Sequence, residues 1–269
     1  MRRCEHSLID VRPFEQFVAR HVPGAASFPL EELPARFHEL PPSDASLQVT
    51  DLDPARASRA AELLEARGHP VSVVRLDLDR LTELGPPTVR LWRPNPFLVE
   101  AMDRIRAIDP GATGKKALDI ACGSGRDAVW MAMNGYDVEA IDLLPDALAK
   151  ASDLSRRCGV NVATRAVDLE HEPTLPAGRY DLVTVFRYLQ RNLFGAIREA
   201  VAPGGFVVYE TFHEQNLSTG QRPRSPAHLL RSGELVQSFE GFEVIIAQDA
   251  GERDGRFFSR LLARRFKTG

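Results

Sequence analysis

Short apolar runs alternate with amphipathic stretches in the first third of this chain. The runs SLIDVR (7–12), LQVTDL (47–52) and VSVVRLD (71–77) have the length and composition of strands. Between them, ARASRAAELLEARGH (55–69) has apolar residues at helical spacing, and Gly68 and Pro70 stop it. This alternation predicts a parallel sheet with helices on both faces. Two further helices are predicted, in FEQFVARH (14–21) and EELPARFHEL (31–40).

A proline-rich joint follows this first pattern. ELGPPTVRLWRPNP (83–96) holds four prolines and no hydrophobic period, which predicts a stiff linker. We therefore predict a first domain at residues 1–86 and a second at residues 87–269. The apolar stripe in PFLVEAMDRIRAI (96–108) predicts the helix that opens the second domain.

The stretch ALDIACGSGRDAVWMAMNGYDVEAID (117–142) carries a ligand-binding pattern. An apolar strand with Asp119 leads into a turn with Gly123 and Gly125, an apolar helix follows, and a second strand ends in Asp142. Glycines let the backbone approach a ligand, a helix N-terminus presents unpaired N–H groups, and a carboxylate after the second strand can accept ribose hydroxyls. Together these parts predict a nucleoside site.

Two nucleoside cofactors fit this pattern. Read as G-x-G-x-x-A, Gly123, Gly125 and Ala128 match the dinucleotide fingerprint, with Asp142 about 20 residues further on. Asp119, however, would face an incoming pyrophosphate, and like charges are unfavourable there. A carboxylate suits a ligand with an ammonium or sulfonium group, which favours S-adenosylmethionine over NAD and an oxidoreductase.

Residues 114–265 resemble a class I S-adenosylmethionine-dependent methyltransferase. The resemblance implies a Rossmann-like α/β domain with a seven-stranded sheet, in which FFSRLLARR (257–265) runs antiparallel beside FEVIIAQD (242–249). Five segments carry the resemblance. DIACGSG (119–125) is similar to the glycine-rich first motif, Asp142 to the ribose-binding acid, and Asp168-Leu169 to the residue pair beside the adenine. YDLVTVF (180–186) is similar to strand four, and APGGFVVYE (202–210) to the turn into strand five.

The same resemblance implies S-adenosylmethionine as the cofactor and S-adenosylhomocysteine as the product. GSGRDA, AIDLLPDAL and VVYETF are most similar to the tellurite-resistance-type branch of small-molecule methyltransferases. We therefore expect a small-molecule acceptor, and the sequence does not choose among a thiol, a metalloid oxyanion and a small acid. The residues implied in cofactor binding are Asp119, Ala121, Gly123, Gly125, Asp142, Leu143, Asp168, Leu169 and Phe186.

Candidate acceptor residues follow strands four and five, although each could also belong to a solvated loop. The sequence identifies no catalytic residue outright, and Tyr188 and His213 are the candidates. Arginines could hold an anionic acceptor through bidentate contacts. FRYLQRNLF (186–194) lacks the Asn-Pro-Pro-Tyr type sequence of methyltransferases that act on adenine or glutamine amino groups. The candidate acceptor residues are Trp92, Arg93, Arg187 and Arg224, with Glu210 and Arg222 nearby in the sequence.

Residues 6–80 resemble a rhodanese domain, most clearly in LIDVRPFEQFVARHVPGAASFPLEEL (8–33). In rhodaneses a cysteine follows the central strand, and its persulfide lies in a loop of backbone amides. The resemblance places Asp51 at that position. Asp51 and Asp53 add negative charge where an anion would bind, and Pro54 removes one N–H donor. We expect this domain to be inactive in sulfur transfer.

Composition excludes several classes of protein. The chain has 269 residues, 43% apolar content and a net charge of −3, so we expect one large or two ordinary domains. The charge argues against a large nucleic-acid surface and leaves a small RNA-facing patch open. Cys4, Cys122 and Cys158 are scattered, which argues against disulfides and a metal site. No signal peptide or membrane span is apparent. We expect a cytoplasmic protein, bacterial by its arginine, alanine and proline usage, with a homodimer left open.

A second hypothesis is a non-catalytic S-adenosylmethionine sensor or scaffold with two binding domains. The five intact motifs argue against it, whereas Asp51 shows that this chain tolerates the loss of chemistry in one domain. Methyl transfer is an in-line displacement that depends mainly on positioning and on removal of water. The lack of an obvious catalytic dyad therefore does not argue against an enzyme.

Overall fold

The computed structural model describes residues 7–220, 222–252 and 254–267, so Cys4 lies outside the described residues. The chain divides into two compact units, Met1–Arg93 and Pro94–Gly269. None of the helices in the described part of the chain is long and apolar enough to cross a membrane.

The first unit is built on a four-stranded parallel sheet, as the sequence predicts. Its strand order is β2-β1-β3-β4. The elements are β1 (Ser7–Asp10), α1 (Phe14–Ala19), β2 (Ala26–Ser27), a 3-10 helix (Leu33–Glu39), β3 (Leu47–Thr50), α2 (Pro54–Glu65), β4 (Val71–Val73) and a 3-10 helix (Leu78–Arg80).

Helix α2 shows why the strongest amphipathic pattern in this unit folds as predicted. Asp53 accepts the Ala55 N–H at 2.9 Å and so caps the helix, and Pro54 occupies the first turn, where it needs no N–H partner. The apolar face of the helix is buried, which fixes it to the sheet. That face consists of Ala57, Ala60, Ala61 and Leu64.

Two predictions for this unit are wrong in detail. The segment 31–40 forms a 3-10 helix over Leu33–Glu39, because Pro34 has no N–H to donate to a helical carbonyl. The strand predicted for 71–77 ends at Val73. Its neighbour β3 leaves the sheet after Thr50, so the Val74 N–H is the last to reach a β3 carbonyl, that of Val49 at 2.8 Å.

The second unit contains a seven-stranded sheet. Its strands are β5 (Lys116–Ile120), β6 (Asp137–Asp142), β7 (Val162–Ala166), β8 (Tyr180–Phe186), β9 (Val201–Phe212), β10 (Phe242–Gly251) and β11 (Phe257–Arg265). The helices are α3 (Pro96–Ile108), α4 (Arg126–Met133), α5 (Pro145–Arg157), α6 (Phe194–Ala200), α7 (Asn216–Thr219) and α8 (Glu234–Ser238), with 3-10 turns at Arg191–Leu193 and Pro226–His228.

The strand order of this sheet is β10-β11-β9-β8-β5-β6-β7. Strand β11 runs antiparallel to both β9 and β10, which confirms the prediction for residues 257–265. The order reverses beside β5, and in open α/β sheets ligands bind at the carboxyl ends of the strands next to such a reversal. The last residue of β10, Gly251, pairs with Phe257 of β11, and Phe258 pairs with Phe212 at the end of β9, so these strand ends lie at this same edge.

Helix α3 opens the second unit as predicted. Asn95 caps it by accepting the Phe97 N–H at 2.8 Å, and Pro96 occupies its first turn. The apolar stripe of the predicted helix is its buried face. The residues of that face are Phe97, Leu98, Ala101, Met102 and Ile105.

Candidate functional site

The glycine turn between β5 and α4 is fastened to the end of β6. The Cys122 N–H donates to the Ile141 carbonyl at 3.0 Å, and the Gly123 N–H donates to Asp142 Oδ2 at 2.8 Å. The turn contains three positive φ angles, 56° at Ala121, 54° at Gly123 and 76° at Gly125. This left-handed backbone suits glycine and is uncommon for alanine.

The two glycines of the turn serve different purposes. A Cβ atom on Gly125 would lie 2.4 Å from Cβ of Ala151, so this glycine allows α4 to start against α5. A Cβ atom on Gly123 would meet no described atom within 4 Å, because open space lies above that residue. The turn therefore combines tight helix packing on one side with room for a ligand on the other.

Asp142 ends β6 with its carboxylate only partly used. Oδ2 accepts the Gly123 N–H, and Oδ1 accepts the Leu144 N–H at 2.9 Å. A carboxylate offers about four acceptor positions, so each oxygen can still accept another hydrogen bond. The side chains of Leu143 and Leu144 beyond it are 46% and 59% exposed. Two ligand hydroxyls could therefore donate to Asp142, and an apolar ring could pack against Leu143 and Leu144.

Asp119 is a buried carboxyl group directly beneath the turn. Its Oδ1 accepts the Thr184 hydroxyl at 2.8 Å, whereas its Oδ2 has no hydrogen-bond partner among the described residues. Burial, and after it the negative charge of Asp127, raises the pKa of Asp119 well above its usual value. A buried oxygen without a partner is costly, so this position favours a ligand that brings a donor or a positive charge.

A polar network that the sequence did not reveal adjoins Asp119. Asp127 Oδ1 accepts the Asn95 N–H at 2.6 Å, and burial raises the pKa of Asp127 to about 6. The Asn95 side chain donates to Glu210 Oε1 at 2.6 Å, and Arg260 donates to Glu210 Oε2 at 2.6 Å. The available signal was Asn-Pro at 95–96, which predicts a helix cap, although it does not predict the contact with Asp127.

The remaining predicted cofactor residues lie at neighbouring strand ends. Asp168 accepts the N–H groups of Glu170 and His171 at 3.1 and 3.2 Å, and the His171 contacts lower its pKa. Leu169 is buried in the core, and its carbonyl accepts from the Gln190 side chain at 2.5 Å. Phe186 is half-buried at the end of β8.

The Tyr188 hydroxyl and His213 Nδ1 form hydrogen bonds, whereas the buried His213 Nε2 has no hydrogen-bond partner among the described residues. The Tyr188 hydroxyl donates to the Gln190 side chain, and burial raises the pKa of Tyr188 to about 12. His213 is buried, with Nδ1 accepting the Gln215 N–H at 3.2 Å and Nε2 lying 3.6 Å from Asp249 Oδ2. These contacts leave their assignment as a catalytic base a prediction.

The candidate acceptor residues lie in three separate parts of the chain. Arg187 directly follows β8, and its N–H donates to the Glu210 carbonyl at 2.7 Å. Arg224 lines a cavity of about 570 Å³ and donates to the Gly220 carbonyl at 3.0 Å. Trp92, which is buried, and Arg93, which is exposed, belong to the first unit. Their assignment to the acceptor therefore also stays a prediction.

These contacts fit S-adenosylmethionine better than a dinucleotide. The unsatisfied Asp119 Oδ2 calls for a donor such as an ammonium group, and Asp142 retains acceptor positions for ribose hydroxyls. A diphosphate would meet two buried carboxyl groups, Asp119 and Asp127, next to the glycine turn. The open space at Gly123 gives the cofactor access to the turn.

In the first unit, two carboxylates of the loop after β3 accept backbone N–H groups of that loop. Asp51 Oδ1 accepts the Asp53 N–H at 2.9 Å, and Asp51 Oδ2 accepts from Arg56 Nε at 3.1 Å. Arg56 also pairs with Glu31 at 2.5 Å. Asp53 takes up the Ala55 N–H, and Pro54 has none. The loop therefore offers an anion few free donors.

The fold and the site together define a two-domain protein. Residues 117–205 match the family model of a methyltransferase domain, and residues 1–80 match that of a rhodanese-like domain. The chain thus carries a rhodanese-like domain followed by a methyltransferase domain of the S-adenosylmethionine-dependent class. At this level the predicted fold class, family and cofactor are confirmed.

Three similar proteins illustrate this relationship. An uncharacterized protein of Schizosaccharomyces pombe is 23% identical over 98% of this chain and 94% of its own length. A ubiquinone biosynthesis O-methyltransferase of Bordetella avium is 30% identical over 53% of this chain, which spans 63% of that enzyme. The crystal structure of TehB from Haemophilus influenzae superposes with a TM-score of 0.51 at 18% identity, covering 62% of each chain, and supports the fold.

Proposed function

We propose that this protein transfers the methyl group of S-adenosylmethionine to a small-molecule acceptor: a thiol, a metalloid oxyanion or a small acid. The observation that carries the proposal is the buried Asp119 oxygen without a partner, placed beneath a glycine turn that opens onto free space. A cationic nucleoside would provide a partner for the Asp119 oxygen and would occupy the space next to Gly123. The methyltransferase domain match supports the same activity.

The cofactor, when bound, supplies an electrophilic methyl group on its sulfonium. The residues of the chain hold and orient it. Asp142 would accept the ribose hydroxyls while it keeps the Gly123 N–H, so one carboxylate would position both the cofactor and the turn. Asp119 and Asp127 favour the positive charge, and the exposed Leu143 and Leu144 side chains exclude water from the adenine.

Of the two candidate bases, only His213 keeps a nitrogen without a hydrogen bond. The Tyr188 hydroxyl and His213 Nδ1 form hydrogen bonds, and burial raises the pKa of Tyr188. The buried His213 Nε2 has no hydrogen-bond partner among the described residues and lies 3.6 Å from Asp249 Oδ2. An acceptor that arrives as an anion, or as a thiolate, needs no base to react at a methyl group. His213 therefore stays the candidate base, whereas an anionic acceptor would need only positioning and removal of water.

Calorimetric titration of the full chain with S-adenosylmethionine, S-adenosylhomocysteine and NAD tests the cofactor. We expect binding of the first two only. Asp142→Asn keeps the carbonyl acceptor for one N–H and should weaken binding by about 1–3 kcal/mol, the loss for hydrogen bonds to a charged group. Asp146→Asn, on the exposed first turn of α5, is the matched control and should bind normally. NAD binding alone, or full affinity in Asp142→Asn, would contradict the assignment.

Release of S-adenosylhomocysteine then tests turnover. The full chain is incubated with thiols, metalloid oxyanions, small acids and a cell extract, and the product is quantified by mass spectrometry. We expect product with at least one class of acceptor. Tight cofactor binding without product from any of them would instead support the sensor or scaffold hypothesis.

For the first domain we propose that sulfur transfer is absent. The support is the Asp51 loop, in which carboxylates accept the N–H groups that would surround a persulfide. We retain the domain boundary at residues 86 and 87, a cytoplasmic location, the absence of nucleic-acid binding and a homodimer as proposals on the strength of the sequence.

A further inference from the structure

Arg187 has an unusual backbone conformation at the carboxyl edge of the sheet. Its φ angle is 57°, and among the described non-glycine residues only Ala121 in the cofactor turn also has a positive φ. The Arg187 N–H donates to the Glu210 carbonyl at 2.7 Å, which holds the chain in this conformation. Such conformations are sparsely populated and cluster at ligand sites.

Three guanidinium groups surround the buried ring of Phe258 on β11. The guanidinium carbons of Arg187, Arg256 and Arg260 lie 5.9, 5.8 and 5.9 Å from its centroid. Arg260 pairs with Glu210 and Glu252, and Arg256 pairs with Asp254. Arg187 alone of the three forms no salt bridge with the described part of the chain.

The carboxylates near Arg187 are already occupied. Both Glu210 oxygens accept hydrogen bonds, one from Asn95 and one from Arg260. Asp127 accepts the Asn95 N–H. The Arg187 side chain is exposed, although neighbouring atoms partly desolvate its guanidinium. This desolvation and the positive charge of Arg256 lower the pKa of Arg187, whereas the negative charges of Glu210 and Asp127 act in the opposite direction. Arg187 is therefore an accessible cation without a salt bridge, and a bound anion would stabilise its charge.

A cavity of about 570 Å³ adjoins this cluster. Phe212 lines the cavity, and its ring lies 5.0 Å from that of Phe258, so the cavity and Arg187 border the same aromatic pair. This volume is in the range of sites for organic ligands and far exceeds the size of a small inorganic oxyanion. The other lining residues are Arg222, Pro223, Arg224, Ser225 and His228, of which two are cationic and one is a histidine.

We propose that the methyl acceptor is an organic acid, whose carboxylate is anchored by Arg187 and whose apolar body lies against Phe212 in the adjoining cavity. This proposal rests on the proposed methyltransferase function and selects one of its three acceptor classes. The planar guanidinium of arginine binds a carboxylate through two parallel hydrogen bonds, which fixes its orientation. Arg187 is an anchoring residue, and the cationic Arg222 and Arg224 attract the acid to the cavity.

The test compares acids with their uncharged amides in the full chain saturated with S-adenosylhomocysteine. Cinnamate and cinnamamide, and octanoate and octanamide, are titrated by calorimetry, together with selenite. We expect each acid to bind at least about tenfold more tightly than its amide, as a charge-assisted bidentate contact implies. Arg187→Gln should abolish the preference. Arg187→Lys should retain part of it, since the charge remains without the planar fork.

Arg104→Gln on the exposed face of α3 is the matched control and should keep the full preference. S-adenosylhomocysteine binding is measured first for every variant, which separates the two proposals. A wild-type chain that does not bind this nucleoside contradicts the proposed function. A chain that binds it but prefers no acid, or keeps the preference in Arg187→Gln, overturns the organic-acid proposal alone. Arg187-dependent binding of selenite without either acid also overturns it.

Discussion

Two buried carboxyl groups, Asp119 and Asp127, lie next to the turn that is assigned to the cofactor. Burial raises the pKa of each; the negative charge of Asp127 raises that of Asp119 further, and the negative charge of Glu210 raises that of Asp127 further. A carboxyl with a raised pKa in the folded state stabilises the fold below its ordinary pKa, and the contribution is lost as pH rises through the folded value. For Asp127 this interval extends from 3.8 to about 6. A cationic ligand reverses the preference, because it favours the ionised form.

Affinity for S-adenosylmethionine should therefore depend on pH through Asp127. We expect binding to weaken by up to about tenfold between pH 7 and pH 5, because one pKa unit corresponds to a tenfold change in the ionised fraction. Titration calorimetry across this range measures it. Asp127→Asn still accepts the Asn95 N–H and should flatten the profile. The exposed Asp103→Asn should leave the profile unchanged, and a flat wild-type profile would contradict the role of Asp127.

The sequence predicted the residues of this site whose role follows from their position after a strand. Gly123, Gly125 and Asp142 were predicted because strand, glycine turn and acid occur in order. The contact of Asn95 with Asp127 was not predicted, because tertiary packing brings together two residues that are 32 positions apart in the sequence. The positive φ of Arg187 was also hidden, since arginine ordinarily avoids that conformation.

At the scale of elements, the start of α4 depends on its packing against α5. Gly125 begins α4 with a φ of 76°, and Ala151 of α5 would touch any Cβ atom placed there, at 2.4 Å. Gly114 has a φ of 78° and open space around it. The pair thus separates backbone strain, which both share, from steric conflict, which only Gly125 has.

Gly125→Ala should destabilise the protein more than Gly114→Ala. Left-handed backbone costs alanine about 1–2 kcal/mol at either position, and overpacking adds about 1–3 kcal/mol at Gly125. Calorimetric melting of both variants measures the difference. The double variant Gly125→Ala with Ala151→Gly removes the contact at 2.4 Å but leaves the Cα atom of residue 151 at 2.9 Å from the new Cβ atom. It should recover part of the loss, reduced by about 1 kcal/mol for glycine within a helix. Equal losses in both single variants would refute the packing argument.

Elements with a strong local pattern were predicted well. The antiparallel strand at 257–265 and helix α3 at 96–108 have the predicted bounds. The α-helix predicted for 31–40 was wrong, because Pro34 has no N–H to donate within a helix. The strand predicted at 71–77 is longer than the observed strand, because β4 ends where its neighbour β3 leaves the sheet. The sequence of residues 71–77 alone does not show where β3 ends.

At the scale of the whole molecule, the order of motifs along the chain predicted two α/β domains of different families. The Schizosaccharomyces pombe protein matches this chain over 98% of its length, so the likeness extends across both domains. Within the first domain, the central strand and helix α2 follow the rhodanese pattern, while the loop between them carries Asp51, Asp53 and Pro54. That domain therefore combines a rhodanese-like scaffold with a loop that carries two carboxylates and a proline.

Sulfurtransferase activity should consequently be undetectable in the full chain, measured as thiocyanate formed from thiosulfate and cyanide. Asp51→Cys alone should not restore it efficiently. The Asp53 carboxylate would still hold the Ala55 N–H, and Pro54 would still lack a donor, so a persulfide at residue 51 would meet few N–H groups. Asp51→Asn is the control for loss of charge without a thiol. Thiocyanate production by the unmodified protein would show that this loop binds sulfur by contacts other than backbone donors, and would overturn the assignment of Asp51 as its internal anion.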